Sequence, residues 1–194
     1  MTTYELIRSF GLVAYLAFSL SVALGVASLS GGRDDRALDR RVIRQLVHRS
    51  SAVVGLVALA AHLGLTVVDT YVSTSLTAVL IPFAAGYKVF ALGLGTLALY
   101  SFVAAAASGW LRLAAARLVS ERGWRLLHRA AYAGWALCLL HGVLAGPDAG
   151  RLWALATYGL GIAMVAGGYA VHRVGLRHLH SRDLEGAFHL REAR

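Results

Sequence analysis

Five apolar runs, each near the length of a bilayer crossing, dominate this chain and leave little else to fold. They cover roughly Leu6–Ser28, Leu46–Val68, Ala85–Ala107, Leu126–Leu144 and Leu152–Val171. A hydrocarbon core of about 30 Å calls for about 20 consecutive, mostly apolar residues in a helix. Apolar residues make up 58% of the 194, so no room remains for a sizeable soluble domain once the runs are set aside. The expected fold is an all-α integral membrane protein, a bundle of about five transmembrane helices. The uncharged part of the first run, about Phe10 to Ser28, follows Glu5 and Arg8, is too long for the core of a secretory leader, and has no clear cleavage site after it. It reads as the first span. Tyr71–Tyr87 is apolar but dotted with polar residues and broken by Pro82, which predicts a short helix at or dipping into the surface. Gly146–Gly150, GPDAG, predicts a tight turn between the last two spans.

The net charge of +9 would suit nucleic acid if the basic residues lined one groove. Instead they sit between the runs. Arg33, Arg36, Arg40, Arg41, Arg44 and Arg49 flank the first loop. Arg112, Arg117, Arg122, Arg125 and Arg129 flank the second charged loop, and Arg173, Arg177, Arg182, Arg191 and Arg194 lie in the tail. That is sixteen of nineteen, leaving Arg8, Lys88 and Arg151 for the opposite side. The positive-inside rule then places the N-terminus out and the C-terminus in. The partner implied is membrane lipid, with no nucleic acid. Residues 1–171 form the membrane unit and 172–194 a basic cytoplasmic tail. Arginine supplies eighteen of the nineteen basic residues, beside abundant Ala, Gly and Leu. That composition points to a GC-rich bacterial source and so to the plasma membrane.

Two of the spans carry paired histidines. His48 and His62 lie fourteen residues apart in the second, His128 and His141 thirteen apart in the fourth. Each interval is roughly 20 Å along a helix. With five spans, the second and fourth run in the same direction, so His48 is level with His128 and His62 with His141. A lone histidine in a span is a buried hydrogen-bonding group or part of a proton path. Two pairs at matched depths have the geometry to hold two haems stacked across the bilayer between spans two and four. The chain has no C-x-x-C-H, and Cys138 stands alone in an apolar span, so the haems expected are b-type. Ser51, Ala52 and Gly55, small residues on the histidine face of span two, would let a porphyrin lie close.

Thirteen residues rotate by about 220°, so His128 and His141 do not share a face. Either span four is distorted or its haems approach from different sides. Arg44 and Arg125 lie one turn toward the cytoplasm from His48 and His128, where an arginine fork suits an inner-haem propionate. Positive-inside placement accounts for them equally. Arg49 and Arg129 are rotated about 100° from their histidines. Trp135 sits at a height between the haems, where core filling also explains it.

The H-x13-H and H-x12-H on parallel spans, with Pro82–Tyr100 and Leu126–Gly150, resemble the ferric reductase-like transmembrane domain. This is the membrane module shared by ferric reductases and NADPH oxidases, and the similarity runs over about residues 10–171. The resemblance implies that His48 with His128 ligates an inner haem b and His62 with His141 an outer one. It also implies single-electron passage from the inner to the outer face, and bis-histidine ligation leaves no open iron position for oxygen. The larger members carry a flavin and nicotinamide domain after the last span. Here about two dozen residues follow, without a Gly-rich dinucleotide loop. The expectation is a haem-bearing subunit whose donor, a flavoprotein with FAD or FMN, is supplied in trans. The haem-binding membrane subunit of bacterial periplasmic methionine sulfoxide reductase systems is arranged similarly. The outer-face acceptor would be a ferric chelate, oxygen or a periplasmic redox partner. Tyr71, Tyr87, Lys88, Asp148 and Arg151 lie near that exit.

His172, His178, His180 and His189 spot the tail. No cysteine or nearby carboxylate completes a metal site, so a basic interfacial helix that docks the donor is the reading. Two other classes of function remain beside this one. One is a quinone-linked cytochrome b anchor, and the other a haem-free transporter that uses the histidines as a proton relay.

Overall fold

A computed structural model describes residues 2–28, 35–69, 74–111 and 120–192, without the side chains of 35–38 and 178–192. Six helices follow in order among the described residues: α1 Thr3–Ala27, α2 Asp35–Val68, α3 Leu76–Leu80, α4 Val89–Trp110, α5 Glu121–Ala145 and α6 Leu152–Glu192. No strand occurs among the described residues. Among the described residues, four stretches are long and apolar enough to cross a membrane: Thr3–Ala27, Asp39–Val68, Val89–Trp110 and Leu152–Arg177. The remaining expected span, the fourth in order, lies in α5, which has the length but is less apolar, with two histidines and two tryptophans along it.

Local chemistry sets the helix ends. Thr2 and Glu5 form a reciprocal capping box at the start of α1, closing two backbone donors that would otherwise be orphaned. Ser120 caps α5 by accepting from the Gly123 N–H at 3.2 Å. The turn around Pro82 holds Phe83 at φ 64° and Lys88 at φ 43°, so α4 begins at Val89, later than Ala85. α3 is the expected short helix and ends before Pro82. α2 starts eleven residues before its apolar run, because Asp35–Gln45 is rich in good helix formers. The tail is helical, because α6 continues through residue 171 to Glu192 without a break.

α1 packs against α2, α5 and α6, and α4 packs against α5. α2 and α5 have no comparable backbone packing on each other. The central core is a cluster of Ala14, Phe18, Ala58, Ala98 and Phe102, and Phe18 stacks on Phe102 with centroids 3.8 Å apart and planes 12° from parallel. Trp135 packs on this cluster and donates its indole N–H to Ser19 Oγ at 2.9 Å, a core-filling role at mid-height. Tyr15 donates to the Tyr158 carbonyl at 2.9 Å, tying α1 to α6. The turn after α5 is pinned to the start of α1, where Asp148 accepts from Arg8 at 2.6 Å and Tyr4 at 2.9 Å. Those two hydrogen bonds, Tyr4's first, hold the Asp148 carboxyl below its usual range.

α1 and α6 come backbone to backbone at Gly168. A Cβ at Gly168 would run into the Ala23 carbonyl, whereas one at Gly167 would meet nothing within 4 Å. Backbone cannot swing aside as a side chain can. Gly168→Ala is expected to destabilise by about 1–3 kcal/mol through overpacking. Gly167→Ala is expected to be neutral or slightly stabilising. Thermal unfolding in detergent, with the two variants side by side, checks the contrast.

Candidate functional site

Four histidines, two on α2 and two on α5, lean on the neighbouring helix by one repeated device. Each imidazole lies over a glycine and bonds through Nδ1 to the carbonyl four residues before that glycine. On α1, His62 lies over Gly11 and reaches the Ile7 carbonyl at 2.8 Å; His48 lies over Gly25 and reaches the Ser21 carbonyl at 2.8 Å. On α4, His141 lies over Gly95 and reaches the Ala91 carbonyl at 2.8 Å; His128 lies over Gly109 and reaches the Ala105 carbonyl at 3.2 Å. A Cβ on Gly11 or Gly95 would sit 3.1 or 2.8 Å from the Nδ1 above it. The absence of a side chain there is what lets the ring lie flat on the helix.

This bond decides the tautomer. A carbonyl oxygen only accepts, so Nδ1 carries the proton and Nε2 of a neutral ring presents its lone pair. The rings then meet in pairs across the space between α2 and α5. His48 and His128 have centroids 6.1 Å apart, and His62 and His141 6.4 Å. The pairing makes α2 and α5 run in the same direction. α5 is an unbroken α-helix, so the thirteen-residue interval is met by His128 and His141 leaving its axis on different sides.

The spacing has a chemical meaning. A metal bonded to one nitrogen of each ring at about 2 Å, with roughly 1 Å more from that nitrogen to each ring centre, sets the centres about 6 Å apart. Both pairs match that figure, so these residues fit a group with two axial imidazoles. Among the described residues, no three His, Cys, Asp or Glu side chains gather. A metal in a macrocycle needs only two protein ligands, which each pair supplies. Beside His62 and His141 opens a cavity of about 340 Å³, walled also by Gly11, Gly95, Phe18 and Phe102. That volume falls in the range of small-molecule and cofactor sites, about 300–1,000 Å³.

The other expected residues have protein partners. Arg44 donates to the Ala27 carbonyl at the end of α1 at 3.3 Å, and Arg125 pairs with Glu121 at 2.7 Å. Lys88 donates to the Leu144 and Ala145 carbonyls at 3.4 and 3.0 Å, closing the C-terminus of α5, and Arg151 lies 3.4 Å from Asp148. Lys88 and Tyr87 also line the cavity. Arg49 and Arg129 are exposed. Ser51 is buried on α2, and its hydroxyl bonds the His48 carbonyl. Cys138 packs against the central cluster. Tyr71, Arg33, Arg112, Arg117 and Arg194 lie outside the described residues, as do the side chains of Arg36, His178, His180, Arg182, His189 and Arg191.

Histidine spacing alone misses the residues that cradle the rings. Gly11, Phe18 and Gly25 on α1 match Gly95, Phe102 and Gly109 on α4, a G-x6-F-x6-G in both. Seven residues are close to two turns, so each trio lines one face. The glycines sit under the histidines, and the phenylalanines stack halfway between the pairs. That repeated spacing was the available signal. At the His48–His128 pair, Trp124 stacks on His128 with centroids 5.5 Å apart and gives its indole N–H to the Ser108 carbonyl at 2.8 Å.

Among the described residues, fold and site together define an all-α protein with four helices suited to a membrane and two facing histidine pairs. The chain matches no family model, no curated protein and no solved structure.

Proposed function

We propose that this chain is the haem b subunit of a transmembrane electron-transfer system related to the ferric reductase-like domain. α5 is the fourth of five spans, with the N-terminus out, the C-terminus in and the plasma membrane as the site. Single electrons pass from a cytoplasmic-side flavin donor, supplied in trans, to an acceptor at the outer face. The observation that carries the reading is the pair of facing imidazole couples, 6.1 and 6.4 Å between centroids. All four Nδ1–H groups are directed at backbone carbonyls.

His48 and His128 would hold the inner haem, His62 and His141 the outer one. Bound there, the haems supply reversible one-electron ferric–ferrous chemistry. The protein's part is to fix the ligands. Each carbonyl bond orients its imidazole and raises the basicity of Nε2. Neutral rings with their N–H satisfied also explain how α5 tolerates two histidines in a membrane. The stacked Phe18 and Phe102 keep water out of the layer between the pairs. The arginines at the inner end support the orientation by charge.

Purified protein is expected to show a reduced-minus-oxidised spectrum of b type, with two haems per chain by pyridine haemochrome assay. Colourless protein after expression with ample haem would overturn the reading and favour a proton relay. Rapid reduction by quinol with no flavoprotein present would replace the flavin donor with a quinone-linked anchor.

A further inference from the structure

We propose that Ser21 and Ser108 make the haem that the inner histidine pair would hold the harder of the two to reduce, and so give electron passage its outward direction. The inference rests on the haem-binding reading above. It concerns an asymmetry in an otherwise repeated site. At the outer pair, His62 and His141 each direct Nδ1–H to one carbonyl at 2.8 Å. At the inner pair, a serine hydroxyl stands beside each Nδ1 as well, Ser21 Oγ at 3.1 Å from His48 and Ser108 Oγ at 3.2 Å from His128.

Both hydroxyls spend their own proton elsewhere. Ser21 donates to the His48 backbone carbonyl at 3.1 Å, across helices rather than to its own turn, and Ser108 donates to the Ala105 carbonyl at 2.7 Å. Each serine oxygen therefore faces the imidazole as an acceptor. The repeat shows where the outer site differs. Ser21 stands four residues before Gly25, where Ile7 stands before Gly11; Ser108 immediately precedes Gly109, where Leu94 precedes Gly95. Neither outer counterpart has a hydroxyl to offer.

An imidazole whose N–H is shared between two oxygens carries more negative character on its other nitrogen. Such a ligand favours oxidised iron, and hydrogen bonding beyond the ligands is a recognised lever on potential. With haem held at both pairs, the His48–His128 centre would be the one-electron donor and the His62–His141 centre its acceptor, one oxidised as the other is reduced. No proton leaves a ring and no other reactant takes part. Ser21 adds its hydroxyl to a carbonyl bond already as short as those at the outer pair. At His128 the carbonyl bond is longer, 3.2 Å, and Ser108 partly makes up for it. Ser21 is thus the stronger of these two positioning residues.

The test is a spectroelectrochemical titration in a His62→Ala background, where only the inner centre remains to titrate. Ser21→Ala is expected to raise its midpoint potential, Ser108→Ala to raise it less, and Ser21→Thr to restore it. Ser101, whose hydroxyl bonds the Leu97 carbonyl of its own helix, serves as control, and Ser101→Ala is expected to leave the potential in place. An unmoved or lowered potential in Ser21→Ala overturns the proposal, as does an equal rise in Ser101→Ala. Loss of the inner haem from Ser21→Ala would make the serine a structural prop and overturn it too. Unsubstituted protein that binds no haem ends the haem reading itself, whereas two haems with serine-independent potentials end only this inference.

Discussion

Replacing His48 or His128 with alanine is expected to remove one bis-histidine haem and leave the other, taking the count from two per chain to one. The two single variants are expected to give the same spectrum, because their rings face each other at 6.1 Å and serve one centre. His62→Ala and His141→Ala are expected to give the complementary spectrum, that of the surviving inner centre. Locality follows from the construction. Each ring has its own carbonyl and glycine, and roughly 20 Å of helix separates the levels. Non-additivity sharpens the test. The double variant His48→Ala/His128→Ala is expected to lose no more haem than either single, since both act on one site, while His48→Ala/His62→Ala is expected to lose both. Loss of both haems, or of neither, in the single variants would refute the pairing.

Much of this arrangement was legible from residue spacing, and what was not has identifiable causes. Runs of apolar residues announce helices directly, so α1, α2, α4 and α6 lie over four of the expected spans. Their ends were less visible. Nothing in the apolar pattern stops α6 at residue 171, and the helix continues through the polar tail, where backbone bonding outweighs the change in composition. At α4, the positive φ of Lys88 rather than hydrophobicity sets the start.

The histidine levels could be paired because spans two apart in order run in the same direction. The inner arginines were harder to place, because a long flexible side chain serves whichever acceptor is near. Arg44 finds the end of α1, and Arg125 finds Glu121 one turn away. The glycines were missed because a residue with no side chain carries no chemical label. Their role shows only when the helix opposite is known to bear a ring.

Those glycines lead to the second large effect, a graded one. Gly95→Ala is expected to disturb the outer pair most, since its new Cβ would lie 2.8 Å from His141 Nδ1 and 2.9 Å from Cε1. Gly11→Ala comes next, at 3.1 Å from His62 Nδ1. Gly25→Ala and Gly109→Ala would meet His48 and His128 only at 3.5 Å, an ordinary van der Waals contact. Pushing a ring off its helix lengthens the Nδ1–H bond to the carbonyl and turns Nε2 away from its partner. Loss of such an orienting bond typically costs about 10–100-fold in metal affinity. Outer-haem retention is therefore expected to fall by about that factor in Gly95→Ala and by less in Gly11→Ala, with the inner haem kept in both. The two inner variants are expected to keep both haems. Competition with apomyoglobin, which draws off weakly held haem, measures the retention of each centre by its spectrum. Equal loss from all four variants would mean that alanine acts through helix packing in general. Loss confined to Gly25→Ala and Gly109→Ala would contradict the placement of the rings, because the contact distances run the other way.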